Sequence, residues 1–152
     1  MIEYRLPLPK KHPNNPNSNA LMTVNVQRNL HHIPMATFKR QYSSTIKQVL
    51  STIDIPTYTY VRITYTLFTK PTRGNPTKKQ PYRGSKPRNL DLLNLLAVVD
   101  KSNSDVLVEL GVIPDDTITY VQSVHFDCEP YSDDDYVLVR VIPVLKKEDP
   151  RQ

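Results

Sequence analysis

Asp91, Lys101, Asp115 and Asp116 are the side chains of this 152-residue chain whose types and spacing suit chemistry at a phosphate. Asp115 and Asp116 are adjacent carboxylates just beyond a helical stretch that holds Asp91 near its start and Lys101 further along. Carboxylates are the hard oxygen ligands that Mg²⁺ prefers. A divalent ion held this way generates a hydroxide-like nucleophile and stabilises in-line displacement at phosphorus. An ammonium nearby neutralises the developing charge or orients the water. The candidate catalytic residues are therefore Asp91, Lys101, Asp116 and Asp115, with Asp91, Asp116 and Asp115 as metal ligands. From spacing alone, the Asp115–Asp116 pair fits a turn or cap before a strand better than a metal site.

The element that must position them is the longest apolar-periodic stretch, NLDLLNLLAVVDKSNSDVLVELG, which predicts a helix stopped by Gly111 with Pro114 soon after. At about 100° per residue, Asp91, Asn94, Val98, Lys101 and Asp105 fall on one face and Leu92, Leu96, Val99, Val106 and Leu110 on the opposite one. Every amphipathic helix has a solvated face, so the stripe alone is bland. Its upstream neighbour changes the weighting. Lys70 to Arg88 carries Lys70, Arg73, Lys78, Lys79, Arg83, Lys86 and Arg88 with no acidic residue. It reads as a flexible basic loop that cannot pack a core, suited to phosphate contacts, with Tyr82 available to stack on a base. A carboxylate beside such a surface repels a phosphate unless a cation bridges the two.

Elsewhere, Ile2 to Leu8 reads as a short strand running into a Pro/Asn-rich loop, Pro9 to Asn19, and Leu21 to Val26 as a weak strand. Phe38 to Ile53 has helical spacing, and Tyr58 to Thr69, β-branched and aromatic, reads as a strand at the sheet centre. Thr117 to Cys128 and Tyr136 to Leu145 read as two closing strands joined by a polar hairpin turn that contains Asp133, Asp134 and Asp135. The expected fold is one domain over 1–152, α+β (mixed α/β), with a single mixed sheet and helices packed on it.

Composition narrows the class. Lys+Arg 20 against Asp+Glu 15 suits a polyanionic partner without requiring one. No apolar run reaches the ~20 residues of a membrane span, and the N-terminus has no signal-peptide core, so a cytoplasmic location is expected with no membrane partner. The single cysteine, Cys128, excludes an intrachain disulfide and a cysteine-built zinc site. Three glycines cannot build a phosphate-cradling nucleotide loop, and no small-molecule cofactor is expected. His31 and His32 lack partners at ligand spacing, Asp133–Asp135 lack calcium-loop spacing, and nothing requires His125 and Asp127 to join a site.

The stretch R-N-L-D-L-L-N from Arg88, followed by D-K-S-N-S-D-V-L-V-E-L-G-V-I-P-D-D to Asp116, resembles the core of the RusA-type Holliday junction resolvases. Their pattern is R-D-x-D-N, then K-x-x-x-D-A-L, then G-x-x-x-D-D. The match from Lys101 through Asp116 has no gap, and the resemblance extends weakly over most of the chain. It places Asp91 on the family's first catalytic aspartate, Asn94 on its asparagine, Lys101 on its lysine and Asp116 on its last aspartate, with Asp115 beside it. Two departures stand out. Leu93 takes the place of the second family aspartate, and about one extra helical turn separates Asn94 from Lys101. In a continuous helix Asp100 lies about 180° from Asp91 and points to the other side, so the missing ligand falls to Asp115, Asn94, Asp105 or water. The resemblance implies a homodimer that resolves four-way DNA junctions by Mg²⁺-dependent hydrolysis, with Mn²⁺ as a substitute ion. The alternative is a catalytically weakened relative that binds branched or single-stranded DNA.

Overall fold

The computed structural model describes the backbone of residues 1–152 and all side chains except those of His32 and Ile33. The elements in chain order are β1 (Ile2–Leu6), α1 (Val24–Arg28), α2 (His32–Leu50), β2 (Val61–Phe68), α3 (Leu92–Glu109), β3 (Val121–Glu129) and β4 (Tyr136–Pro143). The four strands form one mixed sheet in the order β1-β4-β2-β3. The β1/β4 and β4/β2 pairs are antiparallel and the β2/β3 pair is parallel. Parallel neighbours need a long crossover. Here it consists of the basic segment, α3 and the turn that carries Asp115 and Asp116, so every candidate catalytic, metal and DNA-contact residue lies in one connection. The α+β expectation of a single mixed sheet with helices packed on it describes this architecture.

Period-two alternation decides which face is covered. Ile2, Tyr4 and Leu6 of β1, Val61, Ile63, Tyr65 and Leu67 of β2, and Val137, Val139 and Val141 of β4 are all buried. Against them pack Phe38, Tyr42, Ile46 and Leu50 of α2, and Leu95, Leu96, Val98, Val99, Val106 and Leu107 of α3. The opposite sheet face carries Arg62, Thr64, Thr66, His125, Asp127 and Arg140, which line an open polar cleft. Cys128 is an exposed β3 residue, as its strand assignment implies.

Several expectations are corrected. Leu21 to Val26 is no strand: Leu21 forms only an isolated bridge with Lys10, and Thr23 caps α1 by accepting from the Val26 N–H. The second helix starts at His32, well before Phe38. Thr117 to Tyr120 is a turn, and β3 starts at Val121. The Asp133–Asp135 segment closes no hairpin, because β2 lies between β3 and β4. Local patterning reads strand type well but not which strands pair, since pairing depends on distant partners. The reading of His32 lies outside the described side chains. His31 stands at the N-cap of α2 without making a side-chain cap bond.

Candidate active site

Val112 and Ile113, just past the Gly111 turn, are fully buried, and the Val112 carbonyl accepts from the Tyr58 N–H. These anchors stop the chain leaving α3 from swinging into solvent. They return Asp115 and Asp116 alongside the last turns of the helix. Gly111 has φ 74°, the left-handed conformation that ends helices at low cost only with glycine. As a result Lys101 Nζ stands 3.2 Å from Asp116 Oδ2 and 3.0 Å from Asp105 Oδ1, joining both halves of the motif at one point. Asp105 and Asp116 both hold the ammonium in its charged form, raising its pKa, Asp105 the more strongly. Asp115 accepts the Asp116 N–H on Oδ1 at 2.9 Å, fixing the turn.

Beneath this cluster runs a buried polar chain. Tyr4 donates to Asn103 Oδ1 at 2.5 Å, Asn103 Nδ2 donates to the Tyr65 hydroxyl oxygen at 3.1 Å, and Tyr65 donates to Asp100 Oδ1 at 2.7 Å. Ser104 also donates to Asp100 Oδ1, at 3.2 Å. Because Tyr4 occupies the amide oxygen, Asn103 must present its N–H₂ to Tyr65. The Tyr65 proton is thereby directed at Asp100. Burial raises the pKa of Asp100 above the usual carboxylate range, the Tyr65 and Ser104 bonds lower it, and the negative charge of Asp116 raises it further. Desolvation pushes the phenols of Tyr4 and Tyr65 well above their ordinary range, so both remain donors at neutral pH.

Asp100 is the residue that helical geometry alone misplaces. It does lie on the far side of the helix from Asp91. That side faces the sheet, where Tyr65 of the inner strand β2 meets it, and the charge of Asp116 is felt there. The run Ser102, Asn103, Ser104 in the middle of an apolar helix carries the available signal, because three buried polar residues in a row require partners. Val98, assigned to the polar stripe, is 2% exposed and belongs to the core.

Asp91 occupies a different place. It is the N-cap of α3, accepting the Asn94 backbone N–H at 3.2 Å and the Asn94 side-chain amide at 2.6 Å. Ten residues of helix separate it from Lys101, about 15 Å along the axis at 1.5 Å per residue. The structure brings Asp116 to Lys101 and leaves Asp91 bonded within its own first turn. Among the described residues no group of three or more His, Cys, Asp and Glu side chains stands ready to hold a metal. A Mg²⁺ ion needs less, since it keeps several waters and binds through one or two carboxylates plus substrate phosphate. Asp116 with Asp115 or Asp100 fits that chemistry.

The basic segment is tied at its base and crossed in its middle. Asp135 accepts the Lys70 backbone N–H on Oδ1 at 2.7 Å and the Arg88 guanidinium on Oδ2 at 2.9 Å, so one carboxylate clamps both ends. Thr72 and Lys86 form an antiparallel bridge. Gly74 packs on Gly84 so closely that a Cβ at position 74 would lie 2.1 Å from the Gly84 carbonyl carbon. The side chains of Lys70, Arg73, Lys78, Lys79, Arg83 and Lys86 are exposed, and among the described residues none of the six forms an ion pair. Arg88 is half-buried and already paired. Tyr82 is 78% exposed. The acidic run that reads as a plain turn thus supplies the clamp of the basic loop.

Comparison with known proteins finds no matching family model and no matching characterised protein. No helix of the described residues is long and apolar enough to cross a membrane.

Proposed function

We propose that the chain is a Mg²⁺-dependent endonuclease of branched DNA, of RusA-like design and acting as a homodimer on four-way junctions, with Mn²⁺ able to replace Mg²⁺. The observation that carries this reading is the Lys101–Asp116 ion pair, which joins the two parts of the gap-free motif match at one point on α3. The cluster holds one ammonium among Asp100, Asp105, Asp115 and Asp116, an excess of negative charge suited to a divalent ion. Asp116 is the central ligand, with Asp115 or Asp100 beside it. The ion, when bound, supplies an activated water and charge neutralisation at the phosphorus. Lys101 stabilises the charge that builds on the phosphate oxygens. The exposed lysines and arginines of residues 70–86 hold the DNA backbone.

The test is cleavage of a labelled synthetic four-way junction and a matched linear duplex with Mg²⁺, Mn²⁺ or chelator, using wild type and Asp116→Asn. Metal-dependent nicks confined to the junction and abolished in the variant support the reading. Tight junction binding without cleavage under any metal overturns it in favour of a second one, a branched-DNA-binding protein of weakened activity. That second reading draws on Leu93, which is 66% exposed where the family carries an aspartate, and on Asp91, whose oxygens are engaged by Asn94.

A further inference from the structure

The two edges of the sheet are finished differently. β1 closes one side with five residues, the charged side chains Glu3 and Arg5, and Pro7 directly after Leu6. Short length, charge and proline are devices that keep an edge from pairing with another chain. β3 closes the other side with nine residues, VQSVHFDCE, and no proline among them. Its inward face presents Val124, Phe126 and Cys128, without a charge. Val124 is 41% exposed and Cys128 is exposed, whereas their β2 neighbours Ile63 and Leu67 are buried, so the helical layer stops short of the edge strand.

The ladder determines which backbone groups are free. The Glu129 carbonyl accepts from the Thr69 N–H at 3.1 Å, so Glu129 and, by alternation, Asp127, His125 and Ser123 bond to β2. Val124, Phe126 and Cys128 therefore turn their N–H and C=O groups to the open side. The Cys128 N–H is met by Asp127 Oδ1 at 2.8 Å, and near the strand start the Gln122 carbonyl accepts from Lys147 Nζ at 2.7 Å. Among the described residues no side chain meets the N–H or C=O of Val124 or Phe126, in the middle of the strand.

A second β3, antiparallel and related by a two-fold axis through His125, matches this pattern. It overlaps all nine residues and makes Val124 and the partner's Phe126 a hydrogen-bonded pair, twice over, with both apolar side chains on one face. On the other face it sets Ser123 opposite the partner's Asp127. Arg62 is the β2 neighbour of Ser123, so only a serine side chain stands between its guanidinium and that carboxylate. Among the described residues neither Arg62 nor Asp127 forms an ion pair within the chain. Ile118 and Tyr131, both largely exposed, lie just beyond the two ends of β3, and the same pairing brings Ile118 of each copy towards Tyr131 of the other.

We propose that two copies of this chain join through β3, antiparallel and centred on His125, into one eight-stranded sheet built from two four-stranded ones. The inference rests on the homodimer reading above and names its seam. Both helical layers then lie on the same face of the joined sheet. The two β2 strands, each carrying the Tyr65 that donates to Asp100, stand three strand spacings apart, about 14 Å.

The test is sedimentation equilibrium of the whole chain without DNA, which makes it independent of the nuclease reading. Wild type is expected to be a concentration-dependent dimer. Val124→Lys puts a charge on the inward face of the seam and should weaken association by at least about tenfold, with urea unfolding checking that the fold is kept. Arg62→Glu and Asp127→Arg should each weaken the dimer several-fold and the double variant should recover it, a rescue that a folding defect would not give. Mild oxidation reads the axis. In a Cys128→Ser background, His125→Cys should form a symmetric disulfide, since non-hydrogen-bonded antiparallel partners lie about 4.5 Å apart at Cα, within the ~4.4–6.8 Å that a disulfide spans. Asp127→Cys in that background should form none. A dimer undiminished by Val124→Lys, or one that gives no disulfide at position 125, overturns the seam alone. A chain that remains monomeric at every concentration overturns the seam and the homodimer reading together, and leaves cleavage to be judged by the junction assay.

Discussion

The two ends of α3 both present carboxylates, yet they are built in opposite ways. At the start, Asp91 is exposed and its partners lie within its own first turn, where a negative charge also meets the positive end of the helix dipole. From mid-helix onward, Asp100 is held from below by Tyr65, Asn103 and Tyr4, residues from two strands and the helix, and Asp116 is delivered by buried anchors after the turn. The first arrangement is what any good helix start needs. The second keeps charge half-buried against desolvation and like-charge repulsion, and such arrangements mark functional groups more often than local caps do. On this contrast, the proposed chemistry is assigned to the Lys101–Asp116 cluster and the capping role to Asp91.

The sharpest way to break this assignment is kinetic. Under the nuclease reading, Asp116→Asn and Lys101→Ala should each lower the single-turnover rate of junction cleavage by about 10²–10³-fold, while Asp91→Asn stays within a few-fold of wild type. A reduction of the larger size in Asp91→Asn would return Asp91 to the catalytic set. Next in size is the buried chain. Asn103→Leu removes the partner of the Tyr4 hydroxyl and one partner of Tyr65, and should destabilise the fold by about 2–3 kcal/mol in urea unfolding, at ~1–3 kcal/mol for each unmatched buried group. Smaller again is the cap. Asp91→Ala should cost about 1 kcal/mol, whereas Asp91→Asn, itself a good N-cap, should cost close to nothing.

The basic segment offers a separate check. Replacing Lys78, Lys79 and Arg83 together by alanine should make DNA binding less steeply dependent on salt, by roughly one unit of slope for each phosphate that is no longer neutralised. An unchanged slope would remove these side chains from the interface.

What can be read from sequence follows the range of the interactions. The helix with its Gly111 stop, the apolar strand β2 and the basic character of residues 70–88 come from composition and period, which are local properties. Lys101 and Asp116 stand out by type and spacing, yet their ion pair depends on Val112 and Ile113 burying themselves in a core that no local window displays. Asp100 escapes a sequence reading because helical geometry gives angles about one axis and does not say which side another segment will approach. Asp135 escapes it for the same reason: its two partners, Lys70 and Arg88, lie 65 and 47 residues away.

The finest test of the contrast between the two ends uses pH. The folded protein raises the pKa of Asp100 above its ordinary 3.8, through burial first and with a further push from Asp116. A raised carboxylate favours folding in its protonated form, so its contribution is fully present below about pH 3.8 and is lost as pH rises through the folded-state value. At neutral pH the wild-type fold therefore carries the cost of holding the titratable, half-buried Asp100. Asp100→Asn keeps an oxygen to accept from Tyr65 and removes the charge. It should be more stable than wild type at neutral pH, and the gain should close as the solution is acidified towards about pH 3.8, while junction cleavage falls. A variant Asp100→Asn less stable than wild type at neutral pH, or a difference that does not shrink on acidification, would mean that the fold bears no penalty at Asp100, and the contrast between the two ends of α3 would lose its energetic basis.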